Sequence, residues 1–398
     1  MRLAVVSPFL DRRHGTERCI AEQLERFAKY PDTEIHLYAQ HVEDLSNLVR
    51  YPARATGTIV WHKVSRLPRP HLFGYLWWFL ANRLQRWWDE KVSGLKFDLL
   101  YSPGINAFDA DAISIHIIFN EFYQRVRPRL VRNRNLTNVH RQLYYNLICL
   151  LEKVIYRQRN SLTTISAHSS ACLLKFFQRS DVPVIRYGVD TEAFSPASRA
   201  KRRDSERASL GIEATDFCLL MIGNDWKNKG LDTLLEAVSG CPEIGFTLVV
   251  VGSDDRRSYD EQIRRLHLES KIRFPGSSPD VMRFYAAADA YVAPSLEDAY
   301  GLPILEAMAC GLAVIASSRA GASEIILDGQ NGFVLRDPED PRELAMLLRQ
   351  IYSDAALRIK IANAATRTAM EHTWDRNAAA TWEFLTAALA QKGQRQAK

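Results

Sequence analysis

Long apolar runs are missing from this chain. No stretch reaches 18 consecutive apolar residues, so no membrane-crossing helix is expected. The first residues, M-R-L-A-V-V-S-P-F-L-D-R-R, hold too few apolar side chains before Asp11 for the core of a secretion signal; they read as a first β-strand. Cysteine is sparse. The six, at 19, 149, 172, 218, 241 and 310, are scattered, with no C-x-x-C pair and no zinc-finger spacing to histidine. A reduced cytoplasmic setting is therefore expected, and a structural zinc is not. The phosphate-cradling signatures G-x-G-x-x-G and G-x-x-x-x-G-K-[ST] are also absent, which argues against a nicotinamide or flavin dinucleotide site and against a P-loop ATPase. No RNA-recognition motif or aromatic stacking platform is readable, so no nucleic-acid partner is expected.

What is present describes an ordinary globular protein, with 47 % hydrophobic and 25 % charged residues over 398 positions. That length exceeds what one core usually covers, so two domains of about 190 residues are expected. Charge is uneven. Residues 1–190 hold 27 Lys and Arg against 17 Asp and Glu, and residues 191–398 hold 25 against 29. An anionic partner would meet the first half first.

The most informative stretch is Pro294 to Gly311, P-S-L-E-D-A-Y-G-L-P-I-L-E-A-M-A-C-G. Ala290 to Ala293 before it suits a buried strand end. Pro303 to Ala309 is rich in helix formers, with proline early and Gly311 past the end. Strand, loop and helix in that order put the loop where parallel sheets hold anions and sugars. Asp298 and Glu306 can accept paired hydrogen bonds from vicinal hydroxyls, while the N–H groups of Tyr300, Gly301 and Leu302 suit phosphate or sugar oxygens.

This stretch resembles the donor-binding signature of the family 4 retaining glycosyltransferases, in which two Glu are separated by seven residues and aromatic-Gly follows the first. Here the second acid is Glu306, and Asp298 stands eight residues before it, one methylene shorter than the family's Glu; Ala299 lies inside the same loop. The resemblance implies that Asp298 holds hydroxyls of a donor sugar and Glu306 the ribose of its nucleotide.

The other matches follow in chain order. Gly15 and Thr16 open a helix after the first strand, where the family has a Gly-rich turn on the donor diphosphate; by itself one glycine marks a bare turn equally well. His71 to Trp88 carries apolar and tryptophan residues at helical spacing, with Arg83 and Arg86 opposite; it reads as a helix packed on its own sheet, a membrane interface being the alternative. Asp111 to Ile118 alternates as a strand. His116 near its end corresponds to a family histidine that faces the reacting sugar, although a lone histidine is usually structural. The D-A-D at 109–111 reads as a loop. Residues 120–179 hold eleven Lys or Arg against two Glu, with Arg125, Arg127, Arg129, Arg132 and Arg134 within ten positions, a density suited to acceptor phosphates or an anionic lipid surface.

Val182 to Pro196 resembles the family's interdomain segment, with Tyr187 where Asn is common, and the polar Ala197 to Ser209 is expected to be a linker. Strands are expected at Phe217–Ile222, Phe246–Val251, Ile272–Phe274, Ala290–Ala293, Ala313–Ala316 and Gly332–Leu335. After the first comes G-N-D-W-K-N-K-G, where the family has Gly-Arg and then Lys-Gly. Lys229 matches the lysine; Asn224 stands at the arginine position, and Lys227 is a substitute charge.

The implied fold is α/β, the GT-B arrangement of two Rossmann-like, doubly wound parallel-sheet domains facing a cleft. Residues 1–190 form an acceptor domain, residues 191–374 a donor domain, and a helix over 375–398 packs back on the first. The implied activity is retaining transfer of a hexose, foremost from a UDP-hexose, to an envelope glycan or glycolipid such as lipopolysaccharide core. Lys229 would stabilise the leaving diphosphate, with no metal and no cofactor. GDP-mannose as donor, an epimerase or hydrolase, and a non-catalytic nucleotide-sugar-binding protein are the alternatives. Peripheral association with the inner face of the membrane is compatible with the basic first half.

Overall fold

The structure, a computed structural model, describes residues 1–12, 14–43, 45, 49–50, 59–67, 71–124 and 136–396. The chain divides into two compact units, Met1–Arg186 with Trp374–Lys398, and Tyr187–Thr373. The arginine-rich run 125–134 lies outside the described residues.

The first unit is built on a seven-stranded parallel sheet. Its strands are β1 (Arg2–Val6), β3 (Glu34–Ala39), β5 (Val49–Arg50), β6 (Ile59–Lys63), β7 (Leu99–Pro103), β8 (Ala112–Ile115) and β9 (Ser161–Thr164), in the order β5-β6-β3-β1-β7-β8-β9; β2 (Phe9–Leu10) and β4 (His41–Val42) form a separate small pair. Leu3 to Val6 are all fully buried because β1 lies mid-sheet with helices on both faces. Successive side chains point to opposite faces, so Leu3 and Val5 join one core with Ile20, Leu24, Phe27 and Leu385, while Ala4 and Val6 join another with Trp78, Ile113 and Ile155.

The helices Gly15–Phe27 and Trp374–Gln396 cover the first of these faces. They are joined by the Phe27 and Trp382 rings, 5.0 Å between centroids, by Gln23 Nε2 donating to Asn377 Oδ1 at 2.9 Å, and by the Arg26–Asp375 ion pair. The helices His71–Val92 and Leu136–Tyr156 supply the second face. Arg86 is not on an outer polar stripe, as the helical spacing suggested. It is buried and gives both guanidinium nitrogens to Asp109, at 3.0 and 2.8 Å. Asp111 in turn accepts from Leu100 N and Lys392 Nζ, each at 2.8 Å. The D-A-D loop is thus a structural clamp.

The second unit carries a six-stranded parallel sheet: β10 (Phe217–Ile222), β11 (Phe246–Val251), β12 (Ile272–Arg273), β13 (Ala290–Ala293), β14 (Ala313–Ser317) and β15 (Phe333–Leu335), in the order β12-β11-β10-β13-β14-β15. Strand order reverses between β10 and β13. At such a switch point the loops leaving two adjacent strands diverge, and ligands of open α/β sheets sit there.

Residues 197–209 are not a linker. Pro196–Ser209 is a helix, capped by Ser195 accepting from Ser198 N and started by proline at its first turn. Arg199, Arg203 and Arg207 recur every four residues and donate to Ala287 O and Ala288 O, which close the helix Met282–Ala287. Arg203 also pairs with Asp289 at 2.6 Å. The stretch looks polar because its work is to satisfy carbonyls.

Candidate active site

The two loops at the switch point are laced together. Leu296 N donates to Asn228 O at 2.7 Å, and Asn228 Nδ2 to Glu297 O at 2.8 Å. Gly230 makes the approach: a Cβ there would lie 2.0 Å from Pro294 O, and its φ of +78° is one that L side chains rarely adopt. Asp254, at the end of β11, fixes the first loop by accepting from Asp225 N at 3.0 Å and Trp226 N at 2.6 Å. The Trp226 ring is buried beneath.

Lys229 and Asp298 meet across this junction. Lys229 Nζ donates to Asp298 Oδ2 at 2.5 Å, with both side chains about four-fifths buried, at 20 % and 16 % exposure. The residue assigned by sequence to the donor diphosphate and the one assigned to the donor sugar are therefore paired with each other. Gly301 follows at φ +88° and opens the helix Leu302–Ala309, whose second residue, Pro303, has no N–H and whose third, Ile304, donates its N–H to Gly301 O at 2.9 Å. Asp298 is itself held by backbone, with Asp298 N donating to Arg319 O and Gly321 N to Asp298 O.

Glu306 lies in that helix and is buried, accepting from Tyr285 OH at 2.7 Å. Burial, then the Glu306 charge, pushes the Tyr285 phenol far above its usual range. Tyr291 is raised by burial and by both Asp298 and Glu306, which puts the two acids around one strand end. Tyr300 is buried against Tyr187, ring centroids 4.7 Å apart, and its hydroxyl lies 3.4 Å from Tyr187 O. Tyr187, where Asn was the expected type, is a packing partner of the site loop. Ala299 is exposed and Leu302 buried. Asn224 is exposed, its side-chain oxygen accepting from Ser253 N at 2.9 Å, and Lys227 points to solvent.

The remaining sequence-selected residues belong to the first unit. Gly15 and Thr16 are the first two residues of the helix Gly15–Phe27, behind an extended His14. His116 follows β8 and is 5 % exposed; burial lowers its pKa to about 3, so the imidazole is neutral. Its Nε2 lies 2.9 Å from Ser114 Oγ, and Tyr101 OH lies 2.8 Å from Ser114 Oγ and 3.1 Å from Gln23 Oε1. A buried polar chain thus runs from His116 to the helix Trp374–Gln396.

Sequence reasoning passed over Asp254, Tyr285 and Glu152. Glu152 is fully buried and its carboxylate takes Phe119 N at 2.7 Å, Asn120 N at 2.8 Å and Asn120 Nδ2 at 2.7 Å, which sets the turn just after His116. Its signal was available: a Glu, followed by Lys153, within the largely apolar C-L-L-E-K-V-I-Y run.

Two doubly wound parallel sheets, one per unit, are the GT-B fold of the glycosyltransferases. The structure described as WaaG, a glycosyltransferase involved in lipopolysaccharide biosynthesis, superposes with a TM-score of 0.77 at 19 % identity over 96 % of this chain and 99 % of that one. Residues 202–368, within the second unit, match the family described as "Glycosyl transferases group 1". The chain's curated relatives include the D-inositol 3-phosphate glycosyltransferase of Arthrobacter sp. (strain FB24), 32 % identical over 51 % of this chain and 49 % of that protein. The lipopolysaccharide glucosyltransferase WaaG of Escherichia coli (strain K12) is 31 % identical over 39 % of this chain and 43 % of its own length. The chain thus matches about half the length of the curated relatives.

Proposed function

We propose that this protein is a retaining glycosyltransferase that moves a hexose from a nucleotide-diphosphate sugar, foremost a UDP-hexose, to a cell-envelope glycan or glycolipid. The observation that carries the reading is the Lys229–Asp298 pair at the switch point, beside the start of the helix Leu302–Ala309. An ammonium beside a helix start suits a diphosphate. As the sugar–phosphate bond breaks, charge accumulates on the leaving phosphate; Lys229 and the amides at Gly301 and Leu302 stabilise it without a metal ion. Asp298 exchanges its lysine for sugar hydroxyls, and Glu306 turns toward the ribose. Retention follows from attack on the face the leaving group departs from.

The lipopolysaccharide glucosyltransferase among the relatives supports a glucosyl donor and an envelope acceptor. The inositol phosphate relatives make that acceptor the one to run alongside. Two helices in the first unit favour a lipid-borne acceptor. His71–Val92 exposes Phe73, Leu76, Leu80, Leu84, Trp87 and Trp88, and Leu136–Tyr156 exposes Val139, Leu143, Leu150 and Val154. Tyr75 and Tyr144 touch, 5.8 Å between centroids, so the helices adjoin. Such an apolar area at a cytoplasmic membrane face would bring the enzyme to its acceptor. Among the described residues, no helix is long and apolar enough to cross a membrane.

The test is a thermal-shift panel of UDP-, GDP-, ADP- and dTDP-sugars followed by product analysis on extracted envelope glycolipid. A rise in melting temperature with UDP-hexose alone and transfer to glycolipid are expected. No shift with any sugar nucleotide would overturn the reading, and release of free sugar with no acceptor turnover would replace it by a hydrolase.

A further inference from the structure

Glu121, His168 and Cys172 bring three potential metal ligands together in the first unit. The helix Ala167–Phe177 starts behind Ser166, whose hydroxyl accepts from Ser169 N. His168 and Cys172 stand four residues apart on it and so share one face. Glu121 lies in the helical segment that begins at residue 119, pinned by Glu121 N donating to Ile118 O. Glu121 Oε1 lies 2.8 Å from His168 Nε2, Cys172 Sγ lies 3.1 Å from Glu121 Oε2, and the sulfur is 3.6 Å from the same His168 Nε2.

These distances can be compared with a metal. Four-coordinate zinc, with bonds of about 2.3 Å to sulfur and 2.0–2.1 Å to nitrogen and oxygen, spaces its ligand atoms about 3.3–3.6 Å apart. The Cys–His edge already has that length, and the Glu121 carboxylate, whose two oxygens face the nitrogen and the sulfur separately, has to draw back and turn one oxygen to the metal. Here one nitrogen faces both the thiol and the acid, which is convergence on a point.

We infer that Glu121, His168 and Cys172 form a three-ligand site for a borderline-soft divalent cation, zinc foremost, with a water as fourth ligand on the solvent side of His168. The mixed sulfur, nitrogen and oxygen set favours zinc over magnesium or calcium. Binding would replace the Cys172 and His168 protons on the ligating atoms and tie residue 121, four positions before Arg125, to the helix Ala167–Phe177. This inference does not rest on the proposed transfer activity.

Cobalt is the probe. The full chain, stripped with EDTA and kept reduced by a phosphine, is expected to take up one equivalent of Co²⁺ with a thiolate-to-cobalt charge-transfer band in the near ultraviolet, and Zn²⁺ should abolish the band. Cys172→Ser should remove it, and Cys149→Ser should leave it unchanged. His168→Gln, at a side chain 60 % exposed and so unlike Cys172 in its demand on folding, should weaken cobalt binding at least tenfold. No thiolate band at one equivalent, or a band and affinity unchanged in both Cys172→Ser and His168→Gln, would overturn the assignment.

Discussion

The two units share an architecture and use it differently. In the second, the loops after β10 and β13 are tied backbone to backbone and glycines let them touch, so Lys229 and Asp298 have fixed positions. The first unit has its polar order inside, in the chain from His116 through Tyr101 to Gln23 and Asn377, and leaves apolar side chains outside. Fifteen of the twenty exposed large hydrophobic residues among the described ones belong to it. A small anionic ligand is gripped by preset amides and charges, whereas a large or lipid-borne one needs surface. On the proposed function, the donor chemistry belongs to the second unit and acceptor capture to the first.

The largest effect should come from Lys229→Ala. Removing one preorganised charge at the reacting centre is expected to lower kcat about 100- to 1000-fold. Steady-state kinetics with a UDP-hexose checks this, and turnover within a few-fold of wild type would break the division between the units. Next is Gly230→Ala, which forces a Cβ onto Pro294 O; a loss of about 2–4 kcal/mol of stability is expected, read from chemical denaturation of the second unit. In the first unit, Leu80→Glu with Trp87→Glu should change stability by no more than about 1 kcal/mol, because both side chains are exposed, yet abolish co-sedimentation with vesicles containing anionic lipid. Persistence of binding would remove capture from these helices.

A pH experiment separates His116 from a titrating role. Its folded pKa, near 3, lies below the unfolded value of about 6.5. Its contribution is therefore complete above pH 6.5 and is lost as pH falls from 6.5 toward 3, by on the order of 1 kcal/mol per pH unit. Urea midpoints at pH 5 and pH 7 should differ less for His116→Gln than for wild type. The smallest effect is expected from Asp298→Glu, which adds one methylene and keeps the acid beside Lys229. Activity within about tenfold of wild type is expected, in either direction, from the same kinetic assay.

Much of the fold was legible because buried parallel strands are dense in apolar residues. F-C-L-L-M-I and F-T-L-V-V-V need no alternation to be recognised, and both strands have the bounds that their composition suggests. The edge strand Ser161–Thr164 was missed because S-L-T-T carries no such run and takes its order from pairing with β8. Pro196–Ser209 was misread for the opposite reason. Its arginines look solvated, and only the carbonyls of Ala287 and Ala288 show what they serve. At the site, the residue types of the two loops were readable at the level of spacing. The contact of Lys229 with Asp298 was not, since it depends on β10 and β13 being neighbours across 69 residues of chain.

The helix Trp374–Gln396 packs on the helix Gly15–Phe27 although the whole second unit is threaded between them. The two crossings touch, with Val189 N donating to His372 O, so residues 187–373 form one closed excursion from the first unit. On a ribosome that excursion is finished while its host still lacks a wall. The apolar flank of the helix Gly15–Phe27 stays uncovered until residues 374–396 have been made, after the whole second unit.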